Sequence, residues 1–252
     1  MTTPLLSVIT TTYNCEKYIE ESLNSILTLE NKFRDFEIII VDDGSTDNTS
    51  DLVHSFWEKN RSKIYFIRNF ENKRIPTRRN EAISISRGRY VTIQDGDDVS
   101  FLDKFEKQID FLENNPDIFC VGGHAIVINE NGEFSNKKMD YPPESHGDIV
   151  NMITKKCMNP IIDPTTMFRR DIFNKLGKYT LDKSIYTVPD FDLWLRAILN
   201  GYKVHNLQDN LIKYRVIEDF GMTREHKKEM IEQHMIVWKK FMRQWKIKEK
   251  NN

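Results

Sequence analysis

The chain has 252 residues, 39% of them hydrophobic, which is about 98 apolar side chains and enough for one sizeable core or two small ones. Its 37 basic and 38 acidic residues leave a net charge of −1, so no global field draws it to nucleic acid and any anionic ligand must be met by local groups. Ten glycines and eight prolines exclude a low-complexity or collagenous chain, and no run approaches the roughly 18 apolar residues that a membrane span requires.

Ser7-Val8-Ile9-Thr10-Thr11 is short and β-branched, stops at the loop signal Tyr13-Asn14, and gives way to apolar residues at helical spacing, Tyr18, Leu23, Ile26 and Leu27. Strand, loop, helix is the unit, and it repeats. Glu37 to Val41 is an apolar run ending in Asp42-Asp43-Gly44-Ser45-Thr46-Asp47, with Leu52, Val53 and Phe56 on a helix beyond it. Ile64 to Ile67 predicts a third strand, Pro76 to Ser86 a third helix opened by proline, and Arg89 to Ile93 a fourth strand ending in Gln94-Asp95-Gly96-Asp97-Asp98. Strands without polar alternation, interleaved with helices, imply a mainly parallel sheet covered on both faces. Helix 103–114, strand 118–129, a surface loop over 129–148, helix 146–156, strand 165–168, and helices 170–176 and 189–199 follow, with short strands near Val204 and over Leu211 to Tyr214. The last element, Thr223 to Lys246, is a long basic helix with Ile231, Met235, Trp238, Phe241, Met242 and Trp245 on one face.

The start of the chain lacks the basic segment of a secretory signal, which predicts a cytosolic protein. Cys15, Cys120 and Cys157 are odd in number and widely spaced, against a disulfide framework or paired zinc ligands. The six histidines lack metal-ligand spacing, and no P-loop or GxGxxG stretch occurs.

In an open parallel sheet, ligands bind beyond the carboxyl ends of the strands, where Thr11 to Asn14, Asp42 to Thr46 and Asp95 to Asp98 all fall. Three carboxylates within four residues repel one another unless a cation or several donors sit among them, and hard oxygen ligands suit Mg²⁺ or Mn²⁺ carried by a diphosphate. A lone Asp-Gly-Asp-Asp is equally an Asp-Gly turn with acids facing solvent, and Asp47 or Thr46 would serve as a helix cap. Asp42 and Asp43 have no such local explanation; an acid at a strand end can accept from a pyrimidine N–H or a ribose hydroxyl.

These stretches resemble the family 2 glycosyltransferases with the GT-A fold. Leu6 to Asn14 looks like their first strand, Ile40 to Asp47 like their second, Arg79-Asn80 with Gly88-Arg89-Tyr90 like their "RN…GxY" stretch, and Asp95-Gly96-Asp97-Asp98 like their DxDD metal motif. The resemblance implies that Thr11, Tyr13 and Asp43 hold the nucleoside base, usually uracil. It places Arg79 near the donor, and has Asp95, Asp97 and Asp98 meet ribose, diphosphate and metal, with Asp97 and Asp98 on the metal. Pro164 to Arg170 resembles the acceptor-side stretch. Pro189-Asp190-Phe191-Asp192-Leu193-Trp194-Leu195-Arg196 resembles the "EDxDLWLR" helix start, whose first Asp is the general base, here Asp190. Pro189 stands where the pattern has Glu, and Ile217 where it has the His of "YRxH", leaving Arg215, His226 or water in that place.

Residues 1–128 are thereby expected to form a nucleotide-sugar-binding half, 129–220 an acceptor-binding half of the same domain, and 221–252 a basic amphipathic helix. The implied reaction is metal-dependent, inverting transfer of a single sugar from a nucleotide donor, a UDP-sugar by expectation, to a hydroxyl of a glycan, a lipid-linked sugar or a protein. The absence of QxxRW argues against a processive synthase. Two rivals remain: a silent nucleotide-sugar-binding scaffold, and a sugar nucleotidyltransferase, for which Thr11 to Asn14 lacks the Gly-rich basic loop. The stripe of the final helix suits packing on the catalytic domain or a second copy, and its lysines equally suit a membrane surface.

Overall fold

The computed structural model describes residues 3–28, 35–135, 142–217 and 227–251. Four strands, β1 (Leu6–Thr12), β2 (Phe36–Asp42), β3 (Ile64–Arg68) and β4 (Tyr90–Asp95), run parallel in the order β3-β2-β1-β4. Between them lie helices α1 (Ile19–Thr28), α2 (Thr49–Lys59) and α3 (Arg74–Ile85). The sheet continues through β7 (Met167–Arg169), β6 (Ile118–Ile128), β8 (Lys203–Arg215) and the two-residue β5 (Val99–Ser100), giving eight strands among the described residues. β7 is antiparallel to both β4 and β6, β8 is parallel to β6, and β5 closes the edge antiparallel to β8.

Alternation along the buried strands sends side chains to both faces. Ile38 and Ile40 join a core beneath α1, α2 and α4 (Lys104–Asn114), whereas Ile39 and Val41 join the larger core beneath α3 and the later helices. Those helices are α5 (His146–Lys156), the five-residue α6 (Ile172–Leu176), α7 (Pro189–Leu199) and α8 (Lys227–Asn251), with 3₁₀ turns at Asp163–Thr165 and Lys183–Ile185.

Two sequence expectations are corrected. The short strands near Val204 and 211–214 are one thirteen-residue strand, β8, because both parts pair with β6 across a register jump from Asn206 to Asn210, and Asn206 is buried with its amide donated to the carbonyls of Pro143 and Pro160. The third helix begins at Arg74, before Pro76, since the Asp43 carboxylate organises its first turn. The start of the expected final helix, 223–226, and part of the 129–148 loop lie outside the described residues, and the final helix continues beyond Lys246 to Asn251. All three cysteines are free thiols.

Candidate active site

The sheet register brings the three polar clusters together: Thr12 lies opposite Asp42 on one neighbour, and Thr11 opposite Asp95 on the other. Asp42 is fully buried and accepts from Thr12 Oγ1 at 3.0 Å and from the Ser45 amide at 3.0 Å, so it builds the β2 turn. The turn needs glycine next: Gly44 has φ of 75°, and a Cβ there would come within 3.0 Å of the Glu71 backbone.

Asp43 is 4% exposed. Its Oδ1 accepts from the Lys73 amide at 2.7 Å and Arg78 Nε at 2.6 Å, and its Oδ2 from the Arg74 amide at 2.8 Å. Arg74 is held at φ 68°, a left-handed conformation costly for a side chain with a Cβ, and the carboxylate satisfies the amides that this bend turns inward. A carboxylate offers about four acceptor sites, so Oδ2 retains one. Tyr13, the residue after β1, is 48% exposed.

The Asp95–Asp98 loop carries the strongest electrostatic tension. Burial, then the Asp95 charge, push Asp97 up to about 7. Burial, then Asp97 and Asp95, push Asp98 well above the carboxylate range. Asp98 Oδ1 accepts from the Arg215 amide at 2.8 Å, while Oδ2 is buried with no partner among the described residues. The Arg215 side chain locks the loop from behind: Nε donates to the Asp97 carbonyl at 2.8 Å, and the terminal nitrogens donate to the carbonyls of Asn129 and Glu130 and to Glu21 Oε2 at 2.6 Å. Arg215 is thereby spent on protein groups, and His226 lies outside the described residues. Beneath the loop, Lys104 donates to the Pro164 carbonyl at 2.9 Å, and burial pulls its ammonium down to about 7 against the opposing charges of Asp98 and Asp95.

Arg79 ties the end of β4 to the 3₁₀ turn before β7. It is 3% exposed and bridges Asp95, at 3.0 Å, to Asp163, with which it makes a very short ion pair. Burial outweighs the Arg79 charge at Asp163 and pushes its carboxyl up to about 7. Asp163, in the 3₁₀ turn before β7, carries no motif; its signal in the sequence is only an acid placed between Ile162 and Pro164.

Asp190 is the second residue of α7, which Pro189 opens at the position where its missing N–H costs nothing. Burial raises the Asp190 carboxyl above its ordinary value, against the helix-start amides, the Arg79 charge and a 2.8 Å hydrogen bond from Asn159 Nδ2 to Oδ2. Tyr214 on β8 faces both sides: burial, then the carboxylates of Asp98, Asp95, Asp97 and Asp190, push its phenol up. Motif reading missed the parts played by Asn159, Asp163 and Tyr214, which come from three separate segments.

α8 seats this end of α7. The Thr187 amide and hydroxyl both donate to Gln233 Oε1, at 2.8 and 2.9 Å, in a buried pocket. The His234 ring stacks on Phe191 at 4.1 Å between centroids and meets the Cys157 carbonyl at 2.9 Å. Trp238 Nε1 donates to the Ile153 carbonyl at 2.7 Å. Trp238, Phe241, Met242 and Trp245 of the expected stripe therefore pack on the rest of the domain, with Val237 and Phe241 buried in the larger core; Ile231, 56% exposed, does not.

Two acids, Asp97 and Asp98, suit a hard divalent cation: the buried, unpartnered Oδ2 of Asp98 and the raised proton affinity of both mark a place that wants positive charge. Among the described residues no three His, Cys, Asp or Glu side chains form a cage of their own. That fits an ion of the Mg²⁺ class, which completes its shell with substrate phosphates and water.

A twisted sheet with this strand order, an acid cluster after β4 and an acid on a later helix start define a glycosyltransferase of the GT-A fold. The chain belongs to glycosyl transferase family 2, whose model matches residues 7–177. It is 34% identical over 219 residues to the uncharacterized glycosyltransferase MJ1057 of Methanocaldococcus jannaschii, covering 86% of this chain and 72% of that one. It is 32% identical over 219 residues to WfaP of Escherichia coli, a UDP-Glc:alpha-D-GlcNAc-diphosphoundecaprenol beta-1,3-glucosyltransferase, covering 84% and 77%. Its fold matches S. aureus TarS in complex with UDP-GlcNAc with a TM-score of 0.67 at 22% identity, over 87% of this chain and 60% of that one.

Proposed function

We propose that this glycosyltransferase moves a single sugar from a UDP-sugar to an acceptor hydroxyl with inversion, with Asp190 as the general base. The observation that carries the reading is Asp190 itself: a buried carboxylate of raised basicity, one oxygen held by Asn159, sharing a cleft with Asp95, Asp97 and Asp98. The UDP preference is supported by the donor named for WfaP. The acceptor named for WfaP supports a lipid-linked sugar over a free glycan or a protein.

In this reading residues 1–128 take the donor and 129–220 the acceptor. Tyr13 stacks on the base, while Thr11 and the open acceptor site on Asp43 Oδ2 meet its polar edge. Asp95 meets the ribose, held in place by Arg79. Asp97 and Asp98 would hold Mn²⁺ or Mg²⁺, which when bound supplies positive charge against the departing diphosphate. Asp190 accepts the acceptor's hydroxyl proton as its oxygen bonds the anomeric carbon, and the carbon–oxygen bond to the diphosphate breaks with its electron pair leaving on UDP. Attack opposite the leaving group inverts the configuration and needs one base.

Calorimetric titration with UDP and Mn²⁺, paired with a sugar-transfer assay on lipid-linked GlcNAc acceptors, tests this. Asp97→Ala and Asp98→Ala should abolish the metal-dependent part of UDP binding. Asp190→Asn should keep UDP affinity within about twofold and lose at least about 10²-fold in transfer. Equal UDP affinity with and without Mn²⁺ in the parent chain would remove the metal role, and turnover retained by Asp190→Asn would move the base elsewhere.

A further inference from the structure

With one face of α8 sealed against the catalytic domain, its opposite face is left to solvent, and the charges on it are segregated. At about 100° per residue, nine exposed residues of α8 fall within one sector of about 120°. Six are basic, Lys228, Lys239, Lys240, Arg243, Lys246 and Lys250; Ile236 and Ile247, 49% and 62% exposed, lie among them, and Glu232 is the single acid. The stripe is about 33 Å long at 1.5 Å rise per residue. With the half-buried Glu229, which falls in the same sector, it holds a net charge of about +4 in a chain whose formal net charge is −1, so the rest of the protein is net acidic, about −5. Such segregation costs like-charge repulsion along one helix face and needs a partner to offset it.

We propose that this stripe docks the protein on an anionic phospholipid surface, with the ammonium and guanidinium groups at lipid phosphates and the two isoleucines in the headgroup–acyl boundary. A second copy of the chain is disfavoured as occupant, because it would bring a like-charged stripe to the contact. A nucleic acid backbone would use the bases but give the isoleucines nothing apolar to meet. Leu181, 52% exposed, extends the apolar surface: it precedes Asp182, whose charge Lys240 faces. α8 runs in the same direction as α7, since Gln233 meets Thr187 before the start of α7 and Lys248 reaches the Leu199 carbonyl at its end. No helix of the described residues is long and apolar enough to cross a membrane, so the attachment is peripheral.

The test is co-sedimentation of the full chain with phosphatidylcholine vesicles, with and without phosphatidylglycerol, at low and high salt. Binding should require phosphatidylglycerol and weaken with salt. At about 1 kcal/mol per basic side chain near such a surface, each contributes about fivefold, so Lys239→Gln, Lys240→Gln and Arg243→Gln together should reduce partitioning about 10²-fold. Ile236→Ser with Ile247→Ser should remove the binding that survives at high salt. All five positions are exposed, and an unchanged melting temperature will show that the fold is intact. The proposal is overturned if phosphatidylcholine alone binds as well, if the triple variant partitions like the parent, or if the chain binds duplex DNA at low salt but no vesicle.

Discussion

Arg215→Met tests whether the acid loop is held from behind rather than by its own turn. The substitution keeps the length of the stem and removes every donor of a guanidinium that is 1% exposed. The Asn129 carbonyl keeps the Gly132 amide as a donor and Glu130 is exposed, so the Asp97 carbonyl is the one left stranded. It costs about 1 kcal/mol or slightly more, and the ion pair to Glu21, which is 54% exposed, adds at most about 1 kcal/mol because water replaces it. The total is about 2 kcal/mol, or about 4–8 °C in Tm for a chain of this length. Since the lost bond from Nε fixes the Asp97 backbone, UDP affinity in Mn²⁺ should also fall about tenfold, read by calorimetry below the melting range. Glu21→Gln is the control, expected within about 1 kcal/mol of the parent. A Tm drop of less than about 2 °C in Arg215→Met would refute the buttress, and so would full destabilisation with unchanged UDP affinity.

The metal-free chain should be least stable near neutral pH. Asp163 has its folded pKa raised to about 7, so between about 4 and 7 the folded state binds a proton the unfolded state has released, and stability falls as pH rises. Lys104 is lowered to about 7, so from about 7 to 10 the unfolded state binds the extra proton and stability rises. Melting curves in chelator should therefore show a minimum near pH 7, and a Tm that climbs steadily from pH 4 to 7 would contradict the burial of these groups. Gln233→Ala strands the amide and hydroxyl of Thr187 in a buried site. It should cost about 2 kcal/mol and lower the rate of transfer with UDP affinity unchanged; equal loss of both would assign Gln233 to stability alone.

The first half of the fold was legible because parallel strands buried on both faces are written as uninterrupted apolar runs, as Glu37 to Val41 is. The acid clusters were legible for the same reason, since each ends such a run. β8 was not, because Gln208, Asp209 and Asn210 break its pattern, and what joins its two ends is pairing to β6 on both sides of a register jump from Asn206 to Asn210, and to β5 near its end. The insertion of antiparallel β7 between β4 and β6 leaves no trace in three residues. Motif reading found Asp190 and Arg79 but not the contact between their neighbourhoods. Asp163 supplies it from 84 residues along the chain from Arg79, and spacing alone carries no information about that approach. The role of Arg78 was hidden by its neighbour, since nothing local distinguishes the arginine that binds Asp43 from the one that binds Asp95.

The seating of α7 by α8 also fixes an order of events during synthesis. Gln233 and His234, more than forty positions later in the chain, hold the Thr187–Phe191 turn from one side, while Asn159 holds Asp190 from an earlier segment. A ribosome-bound chain can complete the donor-side strands β1 to β4 well before those residues emerge, whereas the acid loop also waits for Arg215. If Asp190 is the base, as proposed, it is seated from α8 only after the rest of the site has emerged, so capacity to bind a donor should appear earlier in translation than capacity to transfer a sugar.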